Sequence, residues 1–247
     1  MSEHRIYEQK KDIKEQNTID FYNNRALRIS QMECPYTAVL LGDQNPEHAK
    51  DWNEFEKQYI MPHLKINNTS MVLDIGCGIG RWSETVIPMC DFYLGTDFSE
   101  KMIEVAKARC DDLKGSFEFK HLSFQETVSA PVEKKFDRVI ICGVCMYIND
   151  NELEKCITSL EKHLDEHCIM YFTETIAVEK RLTLCEFPSE ALKADYDVIY
   201  RTAEQYNELY RPLISKGFKI FKQDFLPHLN NEKGFSETER WYTIFER

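Results

Sequence analysis

The sequence predicts an α/β domain built on a doubly wound, mostly parallel sheet, and three observations predict it. Between Ser70 and Glu174, short apolar runs alternate with stretches of helical spacing, which is the pattern of βαβ units whose sheet is covered on both faces. The first of these runs passes directly into a turn with glycines at positions 76, 78 and 80. The C-terminal segments FKIFKQDFL and ERWYTIFER read as a closing antiparallel hairpin.

The chain has 247 residues, which favours one elaborated domain over two. Its 43% hydrophobic and 30% charged residues are a globular composition that supports a packed core. A net charge of −11 repels phosphate backbones and anionic lipid head groups, so nucleic acid and membrane are excluded as expected partners. No apolar stretch reaches the roughly 20 residues of a membrane span, and MSEHRIYEQKKDIKEQ lacks the apolar core of a signal peptide. These features predict a cytoplasmic protein, monomeric or homodimeric. The nine cysteines form no Cys-x-x-Cys pair and are expected to be reduced, mostly buried thiols. His48, His63, His163 and His167 form no metal-ligand spacing, and no metal is expected.

In chain order, residues 1–68 predict an N-terminal helical cap, with helices around Gln16–Gln31 and Pro46–Leu64. Trp52, Phe55 and Tyr59 recur at the spacing of an amphipathic face and are expected in its core. Residues 69–247 form the sheet domain. Its predicted strands are MVLDI, FYLGTD, SFEFKHL, FDRVIICG and CIMYFTE, followed by the two hairpin segments, which makes a seven-stranded sheet. RWSETVIPM, SEKMIEVAKAR and NELEKCITSLEKHL are the predicted helices between them. Residues 175–200 show no clear period and are expected to form an irregular substrate lid, since loops of this length in compact domains are commonly binding elements. A helix over Thr202–Lys216 is predicted to end at Gly217.

The chemistry is concentrated in VLDIGCGIG, residues 72–80, where strand, glycine-rich turn and helix start follow one another as in a nucleotide-type site. Glycines there permit positive φ and let a ligand approach the backbone. The dinucleotide spacing G-x-G-x-x-G would require glycine at position 81, which is Arg81, so a nicotinamide cofactor is disfavoured. Asp74, two residues before the first glycine, would repel a diphosphate and attract an ammonium. Asp97 ends the next strand about 20 residues on, where a carboxylate accepts hydrogen bonds from ribose hydroxyls.

These residues resemble the class I S-adenosylmethionine-dependent methyltransferases, whose Asp-x-Gly-x-Gly-x-Gly turn and following acid match positions 74–80 and 97. The resemblance implies a Rossmann-like fold over roughly residues 70–247. It implies S-adenosylmethionine as cofactor and S-adenosylhomocysteine as product, with Gly76, Gly78 and Gly80 around the methionyl and ribosyl parts and Asp97 on the ribose. Phe98 and Met102 would flank the adenine, and Ser123 and Phe124 stand where the family more often has an acid. Cys142, Gly143 and Val144 would lie beneath the sulfonium, with Tyr147 farther out. FYNNRA resembles the segment that closes over the cofactor, so Tyr22 would shield the site and Arg25 would pair the methionine carboxylate.

The stretch after Cys142 contains no Asn-Pro-Pro-Tyr type tetrapeptide, which disfavours a nucleic-acid base as acceptor. A small-molecule acceptor is expected, walled by residues 31–60 and 175–200. PYTAVLLGDQNPEHAKDWNEFEK resembles a bacterial subgroup associated with polysaccharide and specialised-metabolite methylation, which implies a sugar or metabolite hydroxyl. An alcohol benefits from a general base, for which His121, Glu174, Tyr147 and His228 are candidates by their position near strand ends. The alternatives are methylation of a small-molecule amine, which the acidic surface would attract, and a non-catalytic protein that binds the same cofactor.

Overall fold

Apolar residues on both sides of each central strand dictate a sheet buried on both faces, and the chain builds one. The structure is a computed structural model that describes residues 4–41, 43–229 and 236–247. The N-terminal part comprises β1 (Arg5–Tyr7), α1 (Glu15–Leu27), α2 (Thr37–Leu40) and α3 (Pro46–Leu64). The alternating part follows as β2 (Met71–Ile75), α4 (Ser83–Val86), β3 (Phe92–Asp97), α5 (Glu100–Cys110), β4 (Phe117–His121), α6 (Phe124–Ser129), β5 (Phe136–Cys142), α7 (Asp150–Leu160) and β6 (Leu164–Ala177). The chain continues with β7 (Leu182–Ser189), β8 (Ala194–Tyr200), α8 (Ala203–Leu209), α9 (Arg211–Ser215), β9 (Lys219–Phe225) and β10 (Thr238–Glu246).

The main sheet has seven strands in the order β4-β3-β2-β5-β6-β10-β9. Pairings from β4 through β6 are parallel, and β10 runs antiparallel between β6 and β9, as the closing hairpin predicted. Strand alternation sorts the core into two layers. Leu73, Val139 and Ile141 pack with α7, α8 and α9 on one face, while Val72, Tyr93, Ile140 and Tyr171 pack with α3 and α5 on the other. The strand order reverses around β2, which lies between β3 and β5, and ligands of such sheets bind at the carboxyl ends of the strands beside that reversal.

The structure differs from the sequence expectation in four places. The segment over 175–200 is regular: β6 runs on to Ala177, and β7 and β8 pair antiparallel beside β1 in a second, three-stranded sheet. Leu182 and Leu184 on β7 and Tyr196 and Val198 on β8 bury one face with period two. A register shift between Leu184 and Phe187, with Glu186 at positive φ, breaks the alternation that the sequence would otherwise display. The N-terminal cap accordingly includes a strand. The helix after the glycine turn has only four residues before it tightens into a 3₁₀ turn at Ile87–Met89, because Pro88 cannot continue an α-helix. The helix at 202–216 is two helices, with a new start at Arg211 that Pro212 suits.

Candidate functional site

The glycine turn is pinned before any ligand is considered. The N–H groups of Gly76 and Cys77 both donate to the Thr96 carbonyl, at 2.7 and 2.9 Å, which seats the turn on the end of β3. Gly76 has φ +72°, and a Cβ there would lie 2.2 Å from Val144 Cγ2. The close approach that requires glycine is therefore made by the chain itself, with Val144 standing over the turn. At Gly143, φ +66°, an added Cβ would meet nothing within 4 Å, because that backbone borders open space.

Asp97 is 6% exposed, and its two oxygens are divided between two backbone donors. Oδ2 accepts from Gly78 N at 2.9 Å and Oδ1 from Ser99 N at 2.8 Å, so one carboxylate ties the glycine turn to the start of α5. Burial pushes its pKa up to about 6, against the lowering effect of those two amides. Each oxygen keeps a lone pair for a further donor.

A narrow crevice of about 80 Å³ opens between α1 and the carboxyl ends of β2, β3 and β5. Gly76, Gly78 and Asp97 form its base, and Phe98 and Met102 follow from β3 and α5. Ser123 and Phe124 close the far end; Ser123 also makes a capping box with Glu126 at the start of α6. Cys142 and Tyr147 line the β5 side and Tyr22 the α1 side. Thr18, Ile19, Val39 and Gln125 line it as well, and the sequence reading did not single them out. Thr18 and Ile19 carried a signal in retrospect, since they sit one helical turn before Tyr22.

Two residues expected at the cofactor line neither cavity. Gly80 packs against α5, where its Cβ position lies 3.4 Å from Ala106 and Cys110. Arg25 is fully buried and directed at its own cap: Nη1 and Nη2 donate to Asp43 at 3.0 and 2.9 Å, and Nε donates to the Ala38 carbonyl. Its guanidinium holds α1 to α2 and lines neither cavity.

Beyond the crevice lies a chamber of about 1200 Å³, and the two share Val39, Gly76, Gly78, Cys142, Gly143 and Tyr147. Its walls come from α3, the three-stranded sheet and the start of β10, so both expected segments, 31–60 and 175–200, contribute. Trp52, read as helix core, is 2% exposed yet lines the chamber, with the Arg240 guanidinium 3.9 Å from its ring centroid. Asp74 also faces this chamber and accepts from Tyr93 Oη at 2.5 Å; burial pushes it up to about 7. Arg81 approaches Glu56 at 2.7 Å, both nearly buried, and Glu56 accepts from Tyr171 Oη at 2.7 Å.

The four candidate bases separate by position. His121 Nε2 lies 2.9 Å from the Phe98 carbonyl on an exposed side and lines neither cavity. Tyr147 stands on the shared wall, its hydroxyl 2.8 Å from Tyr22 Oη and 2.6 Å from Tyr196 Oη. Burial raises the phenol of Tyr147 well above its ordinary range, which makes it a poor proton acceptor. Glu174 borders the chamber, but its carboxylate accepts from the backbone amides of Val144, Cys145 and Met146 at 2.8 to 3.2 Å. His228 lines the chamber with Nε2 2.7 Å from Glu239 Oε1.

Residues 72–167 match the profile of a family described as "Methyltransferase domain". The match spans the alternating part of the chain, from β2 into β6. No curated protein matches the chain. A phosphoethanolamine N-methyltransferase from Haemonchus contortus, solved with phosphoethanolamine and S-adenosylhomocysteine, superposes with a TM-score of 0.69 at 19% identity, over 94% of this chain and 50% of that one. Magnesium protoporphyrin IX methyltransferase from Synechocystis with bound S-adenosylhomocysteine gives 0.64 at 15% identity, over 94% and 99%. An S-adenosylmethionine-dependent methyltransferase from Leishmania major gives 0.62 at 17% identity, over 91% and 82%. At these identities the likeness speaks for the fold. The match ends within β6, so the three-stranded sheet and β9–β10 lie outside the profile.

Proposed function

We propose that this chain transfers a methyl group from S-adenosylmethionine to a small-molecule acceptor held in the chamber. The observation that carries the reading is the pair of joined cavities at the carboxyl ends of β2 and β5, with Asp97 in one and Asp74 in the other. An adenosyl group suits the crevice: Asp97 would hold the ribose, and Phe98, Met102 and Phe124 would enclose the adenine. The ammonium of the methionyl part suits Asp74. With Arg25 engaged by Asp43, the guanidinium beside the glycine turn is that of Arg81, which the carboxylate would share with Glu56. When bound, S-adenosylmethionine supplies an already activated methyl donor, so this chain's task is to align the acceptor and exclude water.

The acceptor is a hydroxyl of a sugar or specialised metabolite in this reading. The His228–Glu239 pair supports it, since the carboxylate orients the imidazole at the chamber wall and histidine is the side chain most often used as a general base. The chamber wall favours a second reading. Glu56, Asp74, Glu174, Glu190, Glu237 and Glu239 outnumber Arg5, Arg81 and Arg240, and that balance suits a small-molecule amine.

Calorimetric titration with S-adenosylmethionine, S-adenosylhomocysteine and NAD tests the cofactor. Micromolar binding of the first two with none of the third is the expected result; absence of all binding overturns it. An acceptor screen with His228→Ala then separates the readings. Hydroxyl methylation should fall on the order of 10²-fold or more, the scale of general-base catalysis, whereas amine methylation should be indifferent.

A further inference from the structure

The turn after β5 is gripped from opposite sides by two buried charges. Residues 143–148 cross the shared wall, and Gly143, Val144, Tyr147 and Ile148 line the crevice. From one side Glu174, 2% exposed, takes three successive N–H groups of the turn: Val144 at 3.1 Å and Cys145 at 2.8 Å on Oε1, and Met146 at 3.2 Å on Oε2. From the other side Arg201, fully buried, donates Nη1 to the Cys145 carbonyl at 2.8 Å and Nη2 to the Ile148 carbonyl at 2.6 Å. Its Nε donates to Asp150 Oδ1 at 2.9 Å, which also accepts from Arg181 Nη2 at 3.1 Å. Arg181 precedes β7, and Arg201 follows Tyr200, the last residue of β8 and a wall of the chamber.

Burying ions is expensive unless each finds several hydrogen-bond partners, and a carboxylate that meets three amides has those partners. The same three donors take three of the roughly four acceptor positions of the Glu174 carboxylate and hold it against the turn, away from the task of a general base. Arg201 reaches neither cavity, so its contacts act on the site only through the turn.

We propose that Glu174 and Arg201 are paired positioning residues: they hold the 143–148 turn in its cofactor-binding shape and, through Arg201, tie the small sheet that walls the chamber to the crevice. The inference rests on reading the crevice as the S-adenosylmethionine site. Atoms lining the acceptor chamber and atoms lining the cofactor crevice are then joined by one guanidinium.

The test uses the full chain and the variants Glu174→Gln, Arg201→Ala and Arg201→Lys, with Leu64→Ala as a control that weakens the core under α3, away from the turn and both cavities. Amide hydrogen exchange reads the turn directly. Glu174→Gln and Arg201→Ala should accelerate exchange at residues 144–146 by about tenfold or more, the scale of losing a charge-assisted hydrogen bond, while the β2–β3 amides stay protected. S-adenosylhomocysteine affinity, by calorimetry, should fall by about tenfold with them and be partly rescued in Arg201→Lys. Leu64→Ala should lower the unfolding midpoint and leave that affinity in place. Folded Glu174→Gln and Arg201→Lys proteins with wild-type exchange at 144–146 overturn the proposal, and so does a loss of affinity as large in Leu64→Ala. If the wild-type chain binds no S-adenosylhomocysteine, the cofactor reading has failed, and the exchange measurement still decides the clamp.

Discussion

Asp97 shows how one side chain serves the turn and the site together. Its carboxylate already satisfies two backbone amides, so Asp97→Ala removes a fold contact as well as the proposed ribose contact. S-adenosylhomocysteine affinity should fall by about 1 to 3 kcal/mol, the scale of losing hydrogen bonds to a charged group. Calorimetry on a variant with an intact circular dichroism spectrum checks this, and unchanged affinity would remove the ribose assignment. Gly76→Ala should be harsher, because positive φ disfavours a Cβ by roughly 1 to 2 kcal/mol and the new methyl would collide with Val144. We expect a lower melting midpoint together with weakened binding. At this scale the motif residues were readable, since a glycine at positive φ and a carboxylate at a strand end are local requirements. Arg25 and His121 were not readable as partners of Asp43 and the Phe98 carbonyl, because each contact joins separate elements.

The elements of the parallel core follow the apolar runs closely, whereas the small sheet of β1, β7 and β8 does not announce itself. Its exposed half carries Glu186 and Lys193 at positive φ, and its partner β1 comes from the far N-terminus, so no local window contains the pattern that stabilises it. Its buried half is held by packing across elements: Leu182, Leu184, Tyr196 and Val198 lie against Phe21 and Tyr22 of α1. Val198→Ala should therefore cost about 1 to 3 kcal/mol, from the lost transfer free energy and the cavity left behind. Hydrogen exchange should then rise in β7 and β8 before it rises in β2 or β5. The short α4 has a related lesson. Apolar spacing in RWSETVIPM suggested a helix, and Pro88 ended the α-helical part after one turn.

For the whole molecule, buried carboxylates couple stability and binding to pH in opposite directions. Burial pushes Asp74 and Glu174 up to about 7 and Asp97 up to about 6. A carboxyl whose folded pKa lies above its unfolded value adds stability that is complete below the unfolded value and is lost as pH rises through the folded one. The ligand-free protein should accordingly melt at a higher temperature at pH 5.5 than at pH 8. S-adenosylhomocysteine affinity should run the other way, strengthening as pH rises from 5.5 to 8, because its ribose hydroxyls and ammonium donate to ionised Asp97 and Asp74. Calorimetric scans with and without ligand across that window read both signs; a ligand-free midpoint that climbs with pH would contradict the burial argument. The amino-acid sequence by itself determined the doubly wound sheet, its closing hairpin and the glycine turn with its two acids, since these rest on short-range periodicity and backbone geometry. Only the tertiary structure decided which charges face the cavities, because Arg25, Glu174 and Arg201 each find their hydrogen-bond partners in groups distant in sequence, and a buried charge goes where its partners are.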